Sequence, residues 1–137
     1  MGLAEKRALN ELQTTAWPNF MTRIQSAAKF PVAIEPNWDS LMPHEKNATR
    51  FTQFFEQAFV KPLELMFGKF TQDEFTKGAV AEGLKKIIIV GDKAVYSATQ
   101  FAKFEGGVLT VTHDVWTNIT QEKDRSENAI KAVEKGL

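Results

Sequence analysis

"KKIIIVGD", residues 85 to 92, is the stretch on which the fold turns. Its β-branched residues make a strand, with Ile87 and Ile89 on one face and Ile88 and Val90 on the other. Apolar side chains on both faces predict a central strand with both faces covered. A helix running into "IIIVGD" resembles the parallel strand of an α/β fold, ending in an acidic residue. Beyond Asp92, however, the chain shows a strand pattern rather than a crossover helix. "ATQFAKFEGGVLTVTHD", residues 98 to 114, alternates on both sides of Gly106-Gly107, the signature of a hairpin with a primed two-residue turn. Grouped strands of this kind predict an α+β fold. The expected sheet is antiparallel with about four strands, one early strand plus a C-terminal three-strand meander, packed by five to six helices.

Outward from these strands the chain is helical. Residues 3 to 15 keep Leu9, Leu12 and Ala16 on one face. Pro18 then breaks or bends the helix, and Phe20, Ile24, Ala27 and Ala28 continue on one side to about Lys29. Val32 and Ile34 mark a short strand between Pro31 and Pro36, which favour an edge position. A helix from Pro43 carries Phe51, Phe54, Phe55, Ala58 and Phe59, is kinked at Pro62, and runs on to Gly68. Thr71 and Glu74 have the spacing of a capping box, with Phe70 and Phe75 as a hydrophobic staple. The last helix is anchored by Ile130, Val133 and Leu137. No repeat or linker interrupts the chain, so residues 1–137 read as a single domain.

Composition excludes several functions. The 137 residues are enough to bury roughly 68% of the unfolded surface around one core. Seventeen basic residues balance seventeen acidic ones, which leaves no positive field to attract nucleic acid. The chain has no cysteine, hence neither a disulfide framework nor a thiol nucleophile. The opening "MGLAEKRALNELQ" is charged and helical, unlike a signal peptide, and the longest apolar run, Ile87 to Val90, is far too short to span a membrane. The cytoplasm is the expected compartment. Eleven Phe against one Tyr point to apolar packing rather than hydrogen-bonded recognition.

Two clusters could carry chemistry. "IEPNWDSLMPHE", residues 34 to 45, offers Glu35, Asp39 and His44 as acid-base groups or ligands. It lacks any metal-ligand spacing, and each residue also suits a strand-to-helix connector with caps at Asp39 and Ser40. The connector reading is preferred, and no metal or cofactor is expected. The second cluster is His113 with Asp114 and Trp116. The hairpin register sets Gln100 opposite His113 at the end of a core face, where the imidazole suits a general base or a ring that only satisfies its own nitrogens. Phe101 falls on the wetter face. Trp17, Trp38 and Trp116 all sit in connectors, placed to plug the core or to anchor a partner. The weak catalytic candidates are therefore His113, Asp114, Asp39 and His44, and the binding candidates Gln100, Trp116 and Trp38.

No nucleophile elbow, dinucleotide fingerprint or phosphate loop is present. That absence favours a non-catalytic protein-interaction module over an enzyme: a homodimer, an adaptor or an inhibitor. A near-neutral chain has little self-repulsion to oppose a second copy as a lid for the sheet. The alternative is a small enzyme or small-molecule-binding domain with a pocket beside His113.

Overall fold

The computed structural model describes residues 2–137 as an α+β fold. Helix α1 (Leu3–Glu11) passes through a π turn at Leu12–Ala16 into α2 (Trp17–Ala28). After β1 (Ala33–Pro36), two 3₁₀ turns lead to α3 (Phe51–Phe55), a second π turn at Glu56–Val60, α4 (Lys61–Phe70) and α5 (Glu74–Gly83). The strands β2 (Lys86–Gly91), β3 (Ala102–Glu105) and β4 (Val108–His113) then precede α6 (Glu122–Gly136).

The sheet is mixed, not antiparallel, and it is not a meander. Its order is β1-β2-β4-β3; β1 and β4 run parallel to β2, and β3 alone is antiparallel, to β4. The physical reason lies in the connections. Helices α3 to α5 return the chain to the starting end of the sheet, as a parallel pair requires. The hairpin forms as expected, with Gly106 at φ +59° and Gly107 at φ +81°, and with Ala102 opposite Val111 and Phe104 opposite Leu109. It docks by its second strand. β4 brings Val108, Leu109 and Val111 to β2, while β3 carries Lys103 and Glu105 to the edge, where charge discourages further pairing.

One face of the sheet holds the core. Ile34, Ile87, Ile89, Leu109 and Val111 are buried there against Phe55, Phe59, Leu63, Met66 and Phe67 of the middle helices and Ala129 and Val133 of α6. The other face is open. Ala33, Glu35, Lys86, Ile88, Val90, Lys103, Glu105, Val108, Thr110 and Thr112 are all half-buried or exposed, so the two covered faces expected from "IIIV" are not realised.

Both π turns have one cause. Pro18 and Pro62 each stand at the second position of their helix, α2 and α4, and have no N–H to give back. The preceding residue reaches one place further, Trp17 to the Leu12 carbonyl and Lys61 to that of Glu56. The helix therefore continues through a π turn at each proline, as a bend at Pro18 and a kink at Pro62 allow.

The capping box is also corrected. Thr71 Oγ1 donates to the Phe67 carbonyl at 2.8 Å and closes α4, while Asp73 caps α5 by accepting from the Thr76 N–H at 2.7 Å. Phe75 is 86% exposed rather than a staple. An Asp two residues nearer the helix won because its carboxylate also takes the Thr76 hydroxyl at 2.9 Å.

Candidate functional site

Because β1, β2 and β4 are parallel, their carboxyl ends meet at one end of the sheet. The first segment to cross that end is the turn after β1. The Asn37 N–H donates to the Ile89 carbonyl at 2.8 Å, and Ser40 Oγ accepts from the Gly91 N–H at 3.0 Å while donating to the Asn37 carbonyl at 2.7 Å. The approach is close: a Cβ on Gly91 would lie 2.5 Å from the Ser40 carbonyl oxygen. The turns after β2 and β4 are tied together in the same region. The Asp92 N–H donates to the His113 carbonyl at 3.2 Å and the Asp114 N–H to the Val95 carbonyl at 2.7 Å.

Between these segments lies a cavity of about 390 Å³. Ser40, Met42, Pro43, His44 and Asn47 form one wall, Gly91, Asp92 and Lys93 a second, Asp114, Val115 and Trp116 a third, and Phe51 and Phe54 of α3 supply apolar lining. His44 stacks on Trp116 with ring centroids 4.0 Å apart, and its Nδ1 accepts from the Lys46 N–H at 3.2 Å. Asp92 uses one carboxylate oxygen to accept from the Ala94 N–H at 2.9 Å. A groove between α4 and α6 is wider but shallow, and is lined mainly by lysines and glutamates, as a solvated face would be.

The chain matches no known protein family, curated protein or solved structure.

The fold brings parts of the two sequence clusters together. His44, Asp114 and Trp116 border the cavity. Asp39 is exposed in the 3₁₀ turn Trp38–Ser40 and is not on the cavity wall, and Glu35 pairs with Lys86 at 2.9 Å on the open face of the sheet. Trp38 faces inward, against Trp17 and Phe55. Gln100 does not oppose His113: it is exposed in the 3₁₀ turn Ala98–Gln100, because pairing stops at Ala102. Phe101, expected on the wetter face, is fully buried against Phe59 and His113. Among the described residues no group of three or more His, Cys, Asp or Glu is placed to hold a metal ion.

His113 lies behind the cavity rather than on it. The imidazole is fully buried, and its Nδ1 sits 2.6 Å from the Asp114 carbonyl, which can only accept. Nδ1 therefore carries the proton, and Nε2 is a sealed acceptor with no partner among the described residues. Burial pushes the His113 pKa below 6.5 and the Arg125 charge adds to this, against the opposing pull of the Asp114 carbonyl and carboxylate. A depressed pKa means that the unfolded chain takes up the proton first, near pH 6.5. The stability that rests on neutral His113 is whole above that pH and is lost as pH falls below it, by at most about 1.4 kcal/mol per pH unit for one proton. Urea unfolding of the wild type should accordingly steepen in its pH dependence between pH 7 and 5, relative to His113→Gln. Equal slopes for the two proteins would mean that His113 is not held neutral.

Sequence reasoning missed Ser40, Asn47, Phe51, Phe54, Asp92 and Lys93 as cavity residues. The signal was the parallel-strand resemblance of "IIIVGD": parallel strands place ligand sites at their carboxyl ends. It also missed Arg125, a fully buried cation in what reads as a polar helix start.

Proposed function

We propose that the chain is a small-molecule-binding domain whose site is the cavity at the carboxyl ends of β1, β2 and β4. The observation that carries this reading is the cavity itself, about 390 Å³ with an apolar floor and a few convergent polar groups, within the range of ligand sites. Its position agrees with the rule for open sheets with parallel strands, where ligands sit beyond the strand ends. The walls come from three connectors tied to the sheet and to one another by hydrogen bonds. Fragment titration followed by amide resonances is the test. Shifts should cluster at residues 40–47, 91–93 and 114–116. Shifts scattered over the surface, or none for a broad fragment set, would overturn the reading.

A second reading is favoured by the open face of the sheet. Ile88, Val90 and Val108 stand there half-buried beside Thr110 and Thr112, an apolar strip suited to a protein partner or a second copy of the chain. Light scattering at micromolar concentration separates the cases. A species of about twice 15.4 kDa that Ile88→Lys returns to monomer supports a dimer through this face. A wild-type monomer removes it.

A further inference from the structure

We infer that the ligand of this cavity carries an organic ammonium group, with Asp114 as its counter-ion. The inference rests on the reading of the cavity as a small-molecule site and names the chemistry of its occupant.

Asp114 is only 8% exposed and borders the cavity. Its main chain is fully engaged: the N–H donates to the Val95 carbonyl and its own carbonyl accepts from His113 Nδ1. No hydrogen-bond donor or cation among the described residues meets its carboxylate, whereas Asp92 has the Ala94 N–H. The carboxylate oxygens are nevertheless not sealed in protein. His113 Nε2 is the one side-chain polar atom that is both sealed and unpartnered among the described residues. Asp114 is one of the residues that line the cavity, the open space beside it.

A carboxylate removed from bulk water needs a partner that restores what it has lost. Lys93 lines the same cavity but forms no ion pair with Asp114 or Asp92, and two carboxylates against one lysine leave the walls net negative. A metal ion would want further carboxylate or imidazole donors close by, and among the described residues no such group of three stands there. An organic ammonium asks for less: one carboxylate and aromatic faces. Phe51, Phe54 and Trp116 border the cavity, and the quadrupole of such rings attracts a cation as their surface accepts an apolar body.

Calorimetric titration with benzylammonium, benzyl alcohol and benzoate tests this on the intact chain. Benzylammonium should bind about tenfold more tightly than benzyl alcohol, the gain expected of a charge-assisted contact. Asp114→Asn should erase that difference and leave benzyl alcohol unchanged. Equal affinity for the ammonium and the alcohol on the wild type overturns the inference and needs no variant to do so. A preference that survives Asp114→Asn overturns the role of Asp114, and tightest binding of benzoate would show that Lys93 sets the charge selectivity instead. If none of the three binds while other fragments still shift the cavity resonances, the ammonium is wrong and the cavity reading stands. If no fragment shifts them, the cavity reading itself falls.

Discussion

Arg125→Met should cost about 3–5 kcal/mol of stability, among the largest losses any single substitution in this chain would produce. Arg125 is fully buried, and its guanidinium donates to the Gln57 carbonyl at 2.9 Å, that of Ala58 at 3.2 Å, that of Asn118 at 2.6 Å, and that of Ile119. Two of these acceptors exist because of the chain's own sequence. Pro62 has no N–H for Ala58 in the α register or for Gln57 in the π register, and the Lys61 N–H goes to Glu56. Buried carbonyls left in that state are costly, and Arg125 satisfies both. Burial lowers its pKa to about 10, against the opposing fields of Glu122 and Asp124, so it remains a cation at neutral pH. The mechanism can be separated from mere loss of volume. Pro62→Ala returns an N–H to the Ala58 carbonyl, so in the Arg125→Met background it should recover about 1 kcal/mol relative to additivity. Denaturant midpoints of the four proteins measure this. A loss below about 1 kcal/mol for Arg125→Met would mean that water serves these carbonyls as well as the guanidinium does.

Phe55→Ala should cost a similar amount, about 3–5 kcal/mol, through the cavity it opens. The ring is fully buried, with centroids 5.3 Å from Phe59, 5.9 Å from Trp17, 6.1 Å from Phe20 and 6.3 Å from Trp38. It joins α2, the turn after β1 and α3 in one contact. Phe55→Leu should lose clearly less, since most of the volume remains. Tryptophan emission reports the same event locally, because Trp17 and Trp38 both pack on this ring. Near wild-type stability for Phe55→Ala would show that the aromatic cluster is peripheral to the fold.

What the sequence disclosed and what it hid divide along physical lines. Local signals were legible. The Gly-Gly turn, its register and the central place of "IIIV" depend on backbone sterics and alternation over a few residues. The direction of β2 relative to β1 and β4 was hidden, because it is decided by where a long helical connection returns the chain. Which hairpin strand docks on β2 was written in the charges of Lys103 and Glu105, but that contrast has meaning only once the sheet is mixed. Asp73 displaced Thr71 as the cap because two adequate caps stood close together and the carboxylate makes two bonds. His44, Asp114 and Trp116 stood out as residues, yet nothing local could say that segments some 70 positions apart in the sequence would line one cavity. Gln100 was misplaced because strand alternation was extended past the point at which the chain turns at Phe101. Arg125 was invisible for a related reason: two of its four carbonyl partners, those of Gln57 and Ala58, are freed by a proline far away in the chain.

The central claim is that the cavity beyond β1, β2 and β4 is a ligand site, and a crystal structure of the protein soaked in a fragment mixture tests it most directly. The account predicts bound density between His44 with Trp116 on one side and Asp92 on the other, with any amine directed at the Asp114 carboxylate. A cavity filled by its own side chains, or fragments bound only on the open face of the sheet, would contradict it.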